Sequence, residues 1–245
     1  MTYIIGDIHG EISKLKKLIS NIYQINNNAK LIFLGDYINK GENSKAVLDY
    51  LVTLKNCIFL IGNHEYYFLE YLENGSFSDK LEKYAGSTTF VDFDMTLSTI
   101  KEKFYLPYKD FFDNLKPYYI TDKYFVSHAG INPPYAQNEL DTIPLKEFLF
   151  NRYDFFNYQD KIHGKIAIFG HTGFNYPYYD GYKIGIDTAA VYSLDSPLTS
   201  YCLEEEYFLD DQNNKLLLKE LKLDRTPWIN RREPYRTEKK WRKRF

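Results

Sequence analysis

Cysteine is scarce: the 245-residue chain has two, Cys57 and Cys202, and no Cys-x-x-Cys pair. That excludes a disulfide framework and gives no support to a thiolate zinc site. Cys57 lies in the apolar run Cys57-Ile58-Phe59-Leu60-Ile61 and is expected to be a buried thiol, compatible with a reducing cytosol. Long apolar runs are lacking too; none approaches the roughly 20 residues that span a bilayer, so no membrane partner is expected. The first glycine-bearing motif starts at Gly6, which leaves no room for a secretory leader, and a cytoplasmic location is expected. Internal repeats and long low-complexity linkers are missing as well. Net charge is small, -2, but unevenly spread. Residues 225–245 hold nine Lys/Arg against two Glu, so a basic tail follows an acidic body.

What is present is enough for a core. Hydrophobic residues make up 44% of a length that suits one large α/β domain. The 24 Tyr and 18 Phe occur beside abundant Asn, Lys and Ile, as an AT-rich genome produces, and argue for no ligand by themselves. Five short apolar runs end in glycine-containing loops, the pattern of buried strands. They are Tyr3–Ile5 before Gly6-Asp7-Ile8-His9-Gly10, Leu31–Leu34 before Gly35-Asp36, Cys57–Ile61 before Gly62-Asn63-His64-Glu65, Tyr124–Val126 before Ser127-His128-Ala129-Gly130, and Ile166–Phe169 before Gly170-His171-Thr172. Between the first strands, Ile12, Leu15, Leu18, Ile19 and Ile22 share one helical face, as do Val47, Leu48, Leu51 and Leu54. This β-α-β-α-β alternation predicts a layered α/β fold. The later part is strand-rich, with Tyr182–Ile186 and then Thr199–Leu203, so a second sheet packed against the first is expected. The expected organisation is a catalytic domain over 1–224 and a tail over 225–245. An insert at about 74–116 either walls the site or serves as a helical buttress.

The polar residues at these strand ends include His, Asp and Asn. Loops can aim such groups while strands hold them rigid. Nitrogen and carboxylate donors suit Mn, Fe or Zn. Two divalent ions held close together repel and need a shared anionic bridge, which one Asp can supply.

In their order, the five motifs resemble the calcineurin-like metallophosphoesterases. More narrowly, they resemble the bacterial and phage serine/threonine phosphoprotein phosphatases and the related symmetrical diadenosine tetraphosphate hydrolases. The resemblance covers roughly residues 2 to 205. It implies an α-β-β-α fold with two packed mixed sheets flanked by helices, and two divalent metal ions that activate water for in-line attack on phosphorus. Manganese is the expected metal, with Fe, Zn, Ni or Mg as alternatives. Carried over by position, Asp7 and His9 would hold the first ion, Asp36 would bridge, and Asn63, His128 and His171 would complete the second. His64 matches the residue that protonates the leaving oxygen. Arg152, in Phe148-Leu149-Phe150-Asn151-Arg152, matches a phosphate-binding arginine. His163 matches no motif and reads as a turn residue. Asp187 matches a family strand and is given only a structural or supporting value.

The chain departs from the family pattern Gly-Asp-x-x-Asp-Arg-Gly, since Asn39 and Lys40 stand at its second half. Lys40 keeps a positive charge without the planar fork of arginine. Asn39 can orient His64 but cannot stabilise its imidazolium form, which weakens proton donation. That favours substrates whose leaving group needs little help, such as nucleotide anhydrides or aryl phosphates. Gly62-Asn63-His64-Glu65 and Gly170-His171-Thr172 instead look like the protein-phosphatase branch. The leading reading is a serine/threonine phosphoprotein phosphatase-like enzyme, with diadenosine tetraphosphate hydrolase or another anhydride hydrolase as the alternative. A catalytically weak binding protein is a third. In the tail, Trp228, Tyr235, Trp241 and Phe245 alternate with cations. That composition offers a nucleic-acid or acidic-partner surface, or else an arm docked on the acidic body.

Overall fold

The N-terminal part alternates strand and helix as its periodicity requires. In the computed structural model, which describes residues 1–75 and 88–224, β1 (Thr2–Ile5), α1 (Ile12–Ile25), β2 (Lys30–Phe33), α2 (Ser44–Leu51), β3 (Cys57–Phe59) and α3 (Asn63–Asn74) follow in order. β1 pairs parallel with β2, and β2 with β3. α1 buries Leu15, Leu18, Ile19 and Ile22 as the spacing predicts, together with Lys14. α2 buries Val47, Leu48 and Leu51; Leu54 lies past its end and is half-buried.

The chain then builds a second sheet. β4 (Tyr118–Ile120), β5 (Tyr124–Ser127), β6 (Ile166–Phe169), β7 (Tyr178–Tyr179) and β8 (Lys183–Gly185) stand in the order β4-β5-β6-β8-β7, with β5, β6 and β8 parallel. β9 (Thr199–Cys202), β10 (Tyr207–Asp210) and β11 (Lys215–Leu217) return antiparallel beside β1 and complete a six-stranded sheet of order β11-β10-β9-β1-β2-β3. The β10–β11 hairpin lies beyond the reach of the motif pattern. Its turn carries Asn213 at φ +65, a conformation that asparagine tolerates.

Side-chain alternation explains the layering. Tyr3, Ile5, Leu31 and Phe33 join the core on the helix side, whereas Ile4 and Ile32 face the core between the sheets. In the second sheet Phe125, Ala167 and Phe169 face outward, while Tyr124, Val126, Ile168 and Ile184 meet the first sheet. Both sheets are mixed and both are flanked by helical elements. The cover over the second sheet consists of short turns and α5 (Tyr153–Asn157), with Phe148, Phe155 and Phe156 filling the space.

Part of the insert, residues 88–116, is described. Residues 88–92 are helical, short turns follow, and α4 is Lys109–Asp113. Phe93, Met95, Ile100, Phe104 and Phe112 extend the helix-side core, with the Phe104 ring 4.7 Å from that of Phe68 on α3. The described part of the insert therefore packs as a buttress against the helix-side core, and through Thr89 it also reaches the site described below. Cys57 is half-buried at the start of the edge strand β3, less enclosed than its apolar run suggests, and burial pushes its thiol up to about 11. The basic tail, 225–245, lies outside the described residues.

The inter-sheet layer should carry much of the stability. Ile184 is fully buried there, and Ile184→Ala is expected to lower the unfolding free energy by about 2–5 kcal/mol. Exposed Leu194, changed to Ala, should shift it by less than about 0.5 kcal/mol. Urea titration of both variants checks the contrast.

Candidate metal centre

Parallel neighbours bring strand ends of the same sense to one edge of a sheet. β1, β2 and β3 deliver Asp7, His9, Asp36 and Asn63 at one such edge, and β5 and β6 deliver His128 and His171 from the other sheet. Hydrogen bonds join the two sets: the His171 N–H donates to Asp7 Oδ2 at 2.9 Å, and His128 Nδ1 donates to the Leu34 carbonyl at 3.0 Å. All six residues expected as ligands thus converge.

The backbone is strained where they gather. His9, Asp36, Asn39, Lys40 and His171 have φ of 46°, 53°, 68°, 65° and 63°. Non-glycine residues hold this left-handed region at about 1–3 kcal/mol each, and such strain clusters at functional sites. Two glycines permit the close approach. A Cβ on Gly62 would lie 2.3 Å from Asp36 Oδ1, and one on Gly170 would lie 2.1 Å from Asp7 Oδ1. Glu65 secures the bridging loop from the first turn of α3. Its buried carboxylate accepts the N–H groups of Asp36 and Tyr37 at 2.9 Å, Gly62 at 3.1 Å and Ile38 at 3.3 Å. Burial and the Asp36 charge push the Glu65 carboxyl up to about 8 against those bonds.

Asp36 stands at the centre. Its carboxylate lies 3.3 Å from His9 Nε2, 3.5 Å from His128 Nε2 and 3.8 Å from His64 Nε2. Donor atoms of His9, Asp36 and His64 lie within 4.8 Å of one another, as do those of Asp36, His128 and His171. Asp36 belongs to both groups, as a bridge must; Asp7, the other carboxylate expected at the first ion, belongs to neither, and His64 stands in the first group. Asn63 Oδ1 joins the second group, 2.9 Å from His128 Nε2 and 2.7 Å from His171 Nδ1.

The donor set fits cations. His9 Nδ1 donates to the Ile38 carbonyl at 2.8 Å, and His128 Nδ1 is spent on Leu34, so each ring turns its Nε2 lone pair inward. Burial holds His128 below the usual range, and a neutral ring has one N–H. Its Nε2 lone pair therefore meets that of Asn63 Oδ1 with no proton between them. Asp7 Oδ1 is buried without a hydrogen-bond partner. Burial, with Asp187 and Asp36 nearby, raises the Asp7 carboxyl well above the carboxylate range. Burial would raise Asp36 too, but His128, His64 and His9 outweigh it and hold that carboxyl well below. Converging lone pairs and an orphaned carboxylate oxygen mark a cluster short of positive charge.

The remaining expected residues surround this cage. Asn39 Nδ2 is 2.8 Å from His64 Nδ1. Thr89 Oγ1 donates to Asn39 Oδ1 at 2.6 Å, a distance typical of O–H···O rather than N–H···O bonds. Thr89 Oγ1 lies 3.1 Å from Ser44 Oγ and accepts the Asn39 backbone N–H at 3.0 Å. A hydroxyl relay, Ser44 to Thr89 to Asn39, thereby turns the amide nitrogen toward His64. The His64 Nδ1 then accepts, and the ring proton sits on Nε2, facing Asp36. Burial lowers His64 well below its usual range. Lys40 Nζ donates to His9 Nε2 at 2.6 Å. Burial disfavours the Lys40 charge, but Tyr192, Asp36 and Asp187 prevail and raise it. Arg152 donates through Nε to His171 Nε2 at 3.3 Å. Asp187 caps the Ala189 N–H at 2.8 Å, a supporting position. His163 is remote from the cage, in a turn at φ 50° beside the Phe125 ring.

The profile of the calcineurin-like phosphoesterases matches residues 2–224. The chain belongs to that family. Over 68 residues it is 40% identical to the symmetrical bis(5'-nucleosyl)-tetraphosphatase of Coxiella burnetii, a stretch covering 28% of this chain and 23% of that relative. It is 27% identical over 236 residues to the asymmetrical bis(5'-nucleosyl)-tetraphosphatase PrpE of Oceanobacillus iheyensis, covering 84% of this chain and 90% of the relative. The cold-active protein-tyrosine phosphatase of a psychrophilic Shewanella shares the fold, with a TM-score of 0.62 at 12% identity over 88% of this chain and 79% of that one.

Four residues of this calcineurin-like site were not assigned a part from the motifs: Ser44, Glu65, Thr89 and Tyr192. Glu65 was detectable as the third residue of α3 after Gly62, a helix-start signature. No motif marks Ser44, Thr89 or Tyr192. If Asp36 bridges, Asp36→Asn should depress metal-dependent turnover by more than the roughly 10–100-fold typical of a supporting residue. Steady-state rates with and without added Mn measure this, and wild-type turnover in the variant would exclude the bridge.

Proposed function

We propose that this chain is a two-metal phosphoesterase that hydrolyses nucleotide phosphoanhydrides of the dinucleoside polyphosphate class. Asp7, His9 and Asp36 would hold one divalent ion, and Asp36, Asn63, His128 and His171 the other. Bound divalent ions supply Lewis acidity, which lowers the pKa of water and offsets the charge of phosphate oxygens. The chain's own cations, Lys40 and Arg152, add positive charge at the rim for the same oxygens.

The observation that carries the substrate class is the contact between Asn39 and His64. A carboxylate at position 39 would accept from the ring and support an imidazolium. The Asn39 amide instead donates into Nδ1 at 2.8 Å. His64 is thereby a neutral hydrogen-bond donor through Nε2, able to orient a leaving oxygen but poorly suited to giving it a proton. A serine alkoxide needs that proton. A nucleotide phosphate, whose second pKa is about 6, does not. The relatives named as tetraphosphatases agree with this reading. It moves the substrate class away from phosphoprotein, the leading expectation of the motifs.

Rates on diadenosine tetraphosphate, an aryl phosphate and a phosphoserine peptide test the reading, with nucleotide products separated by chromatography. The anhydride should turn over at least about tenfold faster than the peptide, with loss on chelation. Faster peptide turnover would return the protein to the phosphoprotein class. Chelator-insensitive inactivity on all three would favour a binding protein. Asn39→Asp should raise the rate on alkyl phosphates more than on aryl phosphates, and equal gains would refute the leaving-group argument.

A further inference from the structure

Lys14 breaks the pattern of its helix. It lies on the buried side of α1, only 8% exposed, two residues after the helix begins. A lysine pointing at solvent would keep its ammonium hydrated. Lys14 instead donates to the carbonyls of Ala190 at 2.6 Å, Ser193 at 2.8 Å and Ser196 at 2.6 Å. Three donors meet three acceptors, so one ammonium draws a stretch of seven residues, 190–196, around itself.

The segment it gathers borders the site. Ala189 is left-handed at φ 59°, a 3-10 turn spans Ala190–Tyr192, and Ser193 is extended. Ala190 at its start is buried in the helix-side core, but Leu194 is 74% exposed, so the apolar core holds the far part of this stretch little. The Tyr192 ring lies below Lys40, with Nζ 5.3 Å from its centroid, and Lys40 Nζ is 2.6 Å from His9 Nε2. The route runs from Lys14 to the loop, to Tyr192, to Lys40 and the cage. α1 itself starts just after the loop that carries His9, so one helix braces both sides of this corner.

We propose that Lys14 is a positioning residue: by clamping the loop over residues 190–196 it fixes Tyr192 against Lys40, and so sets where the Lys40 ammonium meets a substrate phosphate. This rests on the phosphoesterase reading above. It assigns Lys14 to binding rather than to bond breaking, so KM should respond more than kcat.

The test uses the full chain with Mn and two kinds of readout. Amide hydrogen exchange in Lys14→Met should quicken at residues 189–196, with α2 and the second sheet unchanged. KM for diadenosine tetraphosphate should rise about tenfold with kcat within about threefold. Adding Lys14→Met to Tyr192→Ala should change KM by less than about twofold, because both act along one route. Lys14→Gln retains two N–H donors and should fall between wild type and Lys14→Met, which serves if the Met variant folds poorly. Unchanged exchange in the loop overturns the clamp, whatever the activity. Additive effects of Lys14→Met and Tyr192→Ala, or a loss confined to kcat, overturn the route to Lys40. A wild-type chain without metal-dependent turnover overturns the phosphoesterase reading, and the exchange result then still decides whether Lys14 holds the loop.

Discussion

The carboxylate of Asp36 sits within 4 Å of imidazoles from three other strand ends, His9, His64 and His128. Everything else in the structure can be arranged around keeping it there. The carboxylate is buried among inward-facing lone pairs, so its charge calls for cations in the cage, and the rings that would share them need carbonyls to fix their tautomers. Ile38 and Leu34 provide these. Glu65 then holds the strained Asp36 loop by its N–H groups. Two glycines leave space for the contact that any other residue would block. The two sheets meet at this point because His128 belongs to one and Asp36 to the other.

The environment of the neighbouring histidine sets the chemistry. Asn39 and the hydroxyl relay from Ser44 and Thr89 give His64 a defined proton position without a negative charge behind it. A site built this way stabilises a departing oxygen that is already a weak base. Lys40 and Arg152 bring positive charge to the rim, and Lys40 is kept charged against burial by Tyr192, Asp36 and Asp187. The same lysine is stacked on Tyr192, which makes the loop after β8 part of the site's electrostatics rather than a remote connection.

Much of this was legible from local pattern. Short apolar runs ending in glycine located five strands to within a residue or two, and the three-four spacing located α1 and α2, because burial on one face is a local constraint. The ligands were legible because each sits at the end of such a run. The failures are non-local. Thr89 and Asn39 are 50 residues apart, and no periodicity links them. Nothing local marks Lys14, since its carbonyl partners lie 176 to 182 residues further on. Cys57 is half-buried because its strand is at a sheet edge, and strand order is not written in an apolar run. The β10–β11 hairpin had its turn chemistry in Asp210-Asp211-Gln212-Asn213-Asn214, but no functional motif drew attention to it.

The central claim is that this cluster is completed by two divalent cations sharing Asp36. The most direct measurement is metal content by mass spectrometry after the protein is loaded with Mn and freed of excess metal. Roughly two ions per chain, falling to one or none in Asp36→Asn, is the predicted result for a bridged pair. A wild-type chain that retains no metal, or an Asp36→Asn variant that retains both ions, would contradict the account.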